Sequence, residues 1–247
     1  MISMTRRGVS VSGAALLTGC ATRPAPTPIP APPPRAAIGA WGVDLLTIAG
    51  HKMYAPKGIG ALYVRSGVRL EPLVYGGGQE HGLRAGTENV ALAVALGAAA
   101  DLARTELHAG GADRIRILRD LLHHRLDELL PGRVQLNGHR DQRLPNTLNV
   151  SITGVAGDDL LAAIPGIAAA TGAACHSATP EPSPVLLAMG HDPGRALSAL
   201  RLTIGRWTTR DDIEQAAREI AAGALAAPPN RDVTSSWRNT AVVRNPY

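Results

Sequence analysis

The chain has 247 residues, 45% of them hydrophobic, but aromatics make up only 3% and there is no Phe, so the core of one large or two small domains must be built from Leu, Ile, Val and Ala. Its 25 Lys and Arg against 20 Asp and Glu leave a formal charge of +5, but the basic residues are scattered, with no dense run and no interleaved aromatics, which argues against a nucleic-acid partner. Two distant cysteines, Cys20 and Cys175, neither in a CxxC pair, exclude a disulfide framework and a structural zinc site, and no apolar run reaches the ~20 residues of a membrane-spanning helix.

Residues 1–37 differ from the rest. A basic start at Arg6 and Arg7 leads into a short apolar stretch, then "LTGC" ending at Cys20, then a proline-rich run. That order is similar to a bacterial lipoprotein signal, with the cysteine as the lipidated residue and the proline run as an extended tether. The competing expectation is an alanine- and proline-rich leader that matches by chance.

From Gly42 the texture becomes that of an α/β fold. "VDLLTIAG", residues 43–50, reads as a buried strand, and "GIGALYV", residues 58–64, as a second strand after a turn. A glycine-rich loop, "VYGGGQEHGLRAGTENV", precedes an alanine-rich helix over 88–107. Ile115, Leu118, Leu122, Leu126 and Leu129 recur at helical spacing, and Pro131-Gly132 ends that helix. Strands are expected at 134–136, 148–152, 167–170 and 200–205, with a short helix over 158–164. Thr209 and Asp212 form a capping-box pattern before a final helix to about Ala227. Residues 228–247 are polar and aperiodic, with the composition of a disordered tail. Alternating strands and helices predict an α/β or α+β layering, with 38–110 and 111–227 as two subdomains.

Two stretches carry the chemistry. In "TIAGHKMYAPKGIG", residues 47–60, Lys52 follows an apolar strand, with His51 beside it and Gly50 and Gly58 around it. Burial in such a setting lowers an amine's pKa and makes it a nucleophile. A donor such as His51 suits an anion, and glycines permit close backbone approach to a ligand. The pattern fits a lysine that carries an aldehyde cofactor of the pyridoxal phosphate kind. Spacing alone favours the plainer alternative, a solvent-facing lysine at a strand end. Lys57 is a rival, but it follows Pro56 in a turn. In the second stretch, "TGAACHSATPEPSPV", residues 171–185, Cys175 sits between Ala174 and His176 among small residues. It reads either as a nucleophilic thiolate assisted by His176 or as a small buried hydrophobe.

The segment "DLLTIAGHKMYAPKGIGALYVR" resembles the cofactor-lysine segment of the cysteine desulfurases, class V members of the fold-type I aminotransferase superfamily. "GGGQEHGLRAGTENVA", "RLPNTLNVSI", "GAACHS", "EPSPVLLAMG" and "ALRLTIGRWTTRDDIE" match further landmarks of that family in order, from about residue 42 to 225. The resemblance implies an α/β fold: part of a PLP-dependent transferase large domain over 38–110 and an α+β C-terminal small domain over 111–227. It implies pyridoxal 5'-phosphate as cofactor and no metal. By its motifs Lys52 is the Schiff-base lysine, His51 contacts the cofactor phosphate, and Thr87 in "RAGT" reaches the phosphate of a neighbouring subunit, which implies a homodimer. Arg201 in "LRLTIGR" pairs with the substrate carboxylate, a task suited to a guanidinium fork; Arg206 is a second basic residue nearby. Cys175 is the persulfide carrier, with His176 as base or thiolate stabiliser.

The implied reaction removes sulfur from L-cysteine, leaves L-alanine and a Cys175 persulfide, and hands the sulfur to an acceptor protein. "GAACHS" is closer to selenocysteine lyases than the "GSACTS" of the iron–sulfur cluster desulfurases, so L-selenocysteine is the alternative substrate. Such chemistry belongs in a reducing compartment, which implies a cytoplasmic location unless Cys20 is lipidated. The family carries a longer stretch ahead of its lysine, holding an aspartate for the pyridinium nitrogen, a histidine stacked on the ring and a phosphate loop. Here 51 residues precede Lys52, and Asp44 is too close to it to be that aspartate. The expectation is therefore an N-terminally truncated relative, with a non-catalytic remnant or binding module as the alternative to an enzyme.

Overall fold

The computed structural model describes residues 41–172 and 181–227. It divides into two compact units, one containing residues 61–86 and the strand leading to Ile48, the other containing 49–60 and the chain from Thr87 onward. The leader, Cys20, the tail, Cys175 and His176 lie outside the described residues.

Strand β1 (Leu45–Ala49) pairs with β2 (Gly60–Val64), and all but their end residues Ala49 and Gly60 belong to the first unit. Arg65 donates its amide to Asp44 across the strand ends and its guanidinium to the same residue's carboxylate. Beyond β2 the glycine-rich segment makes a 3-10 turn over Gln79–Gly82, where Glu80 and His81 both take positive φ. Little is buried here besides Ala85, while Leu62, Leu73, Val74 and Tyr75 are exposed.

The second unit holds the core. Helix α1 (Val90–His108) begins where Asn89 caps it by accepting the Leu92 amide, 3.1 Å. Only Ala99 of α1 is buried. Helix α2 (Gly111–Leu129) follows a left-handed Gly110 and buries Leu118, Leu122 and Leu126 at four-residue spacing. The stripe ends differently from expectation: Leu129 is exposed and Leu130, just past the helix, is fully buried. Unwinding at Leu130, ahead of Pro131-Gly132, turns that side chain inward.

Strands β3 (Val134–Leu136), β4 (Thr147–Ile152) and β5 (Ala199–Thr203) form an antiparallel sheet in the order β3-β4-β5. Val150 of β4 faces Leu136 and Leu200, which sets the register. Leu148, Val150 and Ile152 alternate into the core, where α2 and the C-terminal helix α6 (Arg210–Ala226) cover them through Leu122, Leu126, Ile213, Ala217 and Ile220. Helix α3 (Gly157–Ala163) adds Leu160. The Thr209–Asp212 capping box forms as expected.

Residues 167–170 are not a strand. Ala170 alone bridges to Arg201, while Ile167 and Ala168 diverge from β5 and line a cavity of about 340 Å³ with Leu202, Ile204 and Ile213. Two short helices were not anticipated: α4 (Pro184–Ala188) and α5 (Pro193–Leu197). Each begins with proline after a serine or aspartate, a start signal present in the sequence; Asp192 accepts the Arg195 amide at 2.9 Å. Behind α5 runs a polar network: Arg195 donates to Asn137 and the Leu136 carbonyl, Asn137 donates to Asn149 and Ser151, and Ser151 donates to the Arg195 carbonyl. Paired in this way, the buried polar atoms fix the helix that leads into β5. Among the described residues no helix is long and apolar enough to cross a membrane.

Candidate active site

Lys52 sits where β1 stops. The chain leaves the strand at Ala49 and winds a 3-10 turn, Gly50–Met53, that carries His51 and Lys52. Gly50 is required there: a Cβ would stand 2.7 Å from the Ile59 carbonyl oxygen, which accepts the Gly50 amide at 2.9 Å. Leu96 of α1 packs 3.2 Å from the same position. The turn is thus pressed between the 58–60 segment and α1. His51 and Lys52 are both exposed, so the apolar burial expected around the amine is not present. The strand's apolar run ends three residues short of it, and the turn projects the side chain outward.

Arg201 lies mid-strand on β5. Leu200 and Leu202 on either side enter the core, so Arg201 faces the other way, half-buried. Its backbone is held on both edges: it pairs with Asn149 of β4, and it exchanges hydrogen bonds with Ala170 at 2.6 and 3.3 Å. Lys52 and Arg201 therefore belong to the same compact unit. Thr87 also belongs to it, exposed just ahead of the α1 cap. The cavity beside β5 is lined by neither Lys52 nor Arg201. Among the described residues no cluster of His, Cys, Asp and Glu has the form of a metal site.

Between the lysine turn and the end of β5 lies a cluster that sequence reasoning missed. Tyr54, which closes the turn in the left-handed region at φ 66, accepts the Arg206 amide on its hydroxyl at 2.8 Å. The Arg206 guanidinium lies 4.7 Å from the Tyr54 ring centroid, and the Trp207 ring meets Tyr54 edge-on at 4.8 Å. Arg206 was noted as a nearby cation, but nothing in the pattern marked Tyr54.

The chain matches the family model for aminotransferase class-V over residues 35–216. The chain belongs to the class-V aminotransferase family. It is 46% identical over 183 residues to a cysteine desulfurase IscS of Ehrlichia chaffeensis, covering 73% of this chain and 44% of the relative. It is 44% identical over 177 residues to the cysteine desulfurase IscS 1 of Archaeoglobus fulgidus, covering 70% of this chain and 45% of the relative. Among solved structures it is similar to a NifS-like protein at TM-score 0.63 and 33% identity, over 73% of this chain and 46% of that one. It is also similar to a NifS-like protein from Rickettsia africae at TM-score 0.67 and 28% identity, over 76% and 49%. The chain spans about half the length of the relatives it matches. Its mixed α/β fold is accordingly part of the PLP-dependent transferase fold of this family.

The residues present fit one side of the family's cofactor, pyridoxal 5'-phosphate. An exposed amine next to an exposed imidazole, on a glycine-flanked turn, suits attachment of an aldehyde that bears an anion. The acidic residue preceding β1, Asp44, is committed to Arg65.

Proposed function

We propose that the chain carries the lysine and sulfur-transfer side of a cysteine desulfurase, with L-cysteine as substrate and L-alanine and a Cys175 persulfide as products. What carries the reading is the family match over residues 35–216, a span that includes both chemical motifs, with 46% identity to a cysteine desulfurase and an exposed Lys52 on a glycine-pinned turn. The relatives named above are desulfurases, which favours sulfur over selenium.

In this reading Lys52 attaches the cofactor, and its freed amine then takes the proton from the substrate Cα. His51 neutralises part of the phosphate charge. Arg201, its backbone locked in the sheet, presents its guanidinium to the substrate carboxylate. When bound, the cofactor supplies an electron sink for the charge left at Cα. The Cys175 thiolate, supported by His176, attacks the substrate sulfur; the S–S bond of the persulfide forms as the substrate Cβ–S bond breaks, and the electron pair passes to the Cβ side, which takes up a proton to give alanine. Thr87 reaches the phosphate of a second subunit, so the working form is a homodimer, and an acceptor protein receives the sulfur. The large-domain part is assigned to 38–110 and the small domain to 111–227. Thiolate chemistry of this kind places the protein in the cytoplasm; lipid labelling that disappears in Cys20→Ser would overturn that location.

The deciding test is the visible absorption of the purified chain mixed with pyridoxal phosphate, for wild type and Lys52→Ala. A band present in wild type and lost in the variant supports the cofactor role. Alanine release from cysteine, with a persulfide lost in Cys175→Ser, then supports the reaction. A folded wild-type chain with no band makes it a non-catalytic member of the family.

A further inference from the structure

Tyr54 occupies a backbone conformation, φ 66 and ψ 17, that a non-glycine residue adopts at a cost. A glycine would adopt it freely, so the side chain must offset the strain. Its hydroxyl accepts the Arg206 amide at 2.8 Å. Gly205 leaves room for that contact, since a Cβ there would stand 2.8 Å from the hydroxyl oxygen. The receiving segment is itself held from several sides. Arg114 of α2 donates to the carbonyls of Arg206 and Thr208 at 2.6 and 3.0 Å. Thr208 accepts the Gly205 amide at 3.0 Å. The Arg206 Nε lies 2.7 Å from a carboxylate oxygen of Glu106 on α1, an ion pair without hydrogen-bond alignment, and the guanidinium stands over the Tyr54 ring.

Along the chain Tyr54 is two residues from Lys52, and Arg206 is five residues from Arg201. We propose that Tyr54 is a positioning residue: gripped by Arg206, it ties the turn bearing Lys52 to the end of the strand bearing Arg201 and so sets the amine relative to the carboxylate fork. The roles of Lys52 and Arg201 rest on the proposed function; the tie itself does not. The 3-10 turn is closed by the amides of Tyr54 and Ala55 on the Gly50 carbonyl, so their exchange with solvent reports whether the tie holds the turn.

The test uses the full chain and two variants. Tyr54→Phe removes only the hydroxyl, and Tyr54→Gly relieves the backbone strain while deleting the grip. Hydrogen exchange read residue by residue by NMR is expected to speed about fivefold at Arg206, Tyr54 and Ala55 in Tyr54→Phe, the effect of losing one ordinary hydrogen bond, and further in Tyr54→Gly. Amides of the α2 core should stay at wild-type rates, which separates the effect from global destabilisation. If Arg206 alone speeds up, or if Tyr54→Gly leaves the turn at wild-type rates, the tie does not hold the turn and the proposal fails. The chain has two lysines, Lys52 and Lys57, so borohydride trapping of pyridoxal phosphate followed by mass spectrometry gives a second reading. The Lys52:Lys57 adduct ratio should fall about fivefold in Tyr54→Phe; an unchanged ratio would overturn the positioning role. Absence of any Lys52 adduct in wild type would defeat the proposed function instead, and the exchange rates would still decide the tie.

Discussion

At the scale of single residues, burial and charge decide behaviour that residue type leaves open. His123 on α2 lies 3.6 Å from Asp127, a partner that would raise its pKa. Burial outweighs that partner, with Arg143 and Arg140 adding in the same direction, and the pKa is held below the usual histidine value. A depressed native pKa means the unfolded chain takes up this proton first as pH falls. The stabilising contribution is therefore full above about pH 6.5 and is lost as pH falls through the lower native value. Urea unfolding at pH 7.5 and 5.5 should show a drop for wild type that shrinks in His123→Gln; an equal drop in both would refute this origin. Lys52 teaches the same lesson. Its motif marked it, and its apolar lead-in suggested a buried amine, yet burial depends on what stands across from it, and in this chain it is exposed. Tyr54 gave no signal at all, because its role depends on Gly205 and Arg206, about 150 positions away.

At the scale of elements, helix starts were well marked. The Thr209 hydroxyl accepts the Asp212 amide, and the Asp212 carboxylate accepts from Thr209, which holds that carboxyl below its usual range. Thr209→Ala should cost about 0.5–2 kcal/mol in chemical denaturation, with the native fold kept by circular dichroism. Gly157, by contrast, looks like an ordinary helix-start glycine, but a Cβ there would lie 2.6 Å from the Ala199 carbonyl and 2.9 Å from a Thr171 methyl. Backbone cannot give way as a side chain can. Gly157→Ala should therefore destabilise by about 1–3 kcal/mol, although alanine is the better helix former; a stabilised variant would refute the packing argument. The failed strand at 167–170 has a similar cause. Its residues suit a strand, but only Ala170 meets the edge of β5. Helices α4 and α5 went unanticipated although serine–proline and aspartate–proline starts mark them, because each is only five residues long.

At the scale of the molecule, apolar burial is concentrated in one place. Leu126, Leu130, Leu148, Val150, Ile152, Leu200 and Ile220 are all fully buried in the cluster made by α2, the sheet and α6. The unit containing residues 61–86 buries little beyond Ala85. Stability should follow that division. Hydrogen exchange by mass spectrometry is expected to label residues 61–86 early and α2, β4 and α6 last; slow exchange throughout 61–86 would contradict it. Leu200→Ala should cost about 2–5 kcal/mol, the range for emptying a leucine site in a packed core.

Local pattern alone established the five strands' approximate positions, three long helices and the capping box, through periodicities and short-range caps set by neighbours within a few residues. The motifs around Lys52, Cys175 and Arg201 stood out only through their resemblance to a family. Tertiary structure decided that Lys52 projects outward, that Leu130 replaces Leu129 in the core, that 167–170 stays out of the sheet, and that Tyr54 meets Arg206. Each of these depends on contacts between residues far apart in the chain, where steric fit and desolvation override local propensity.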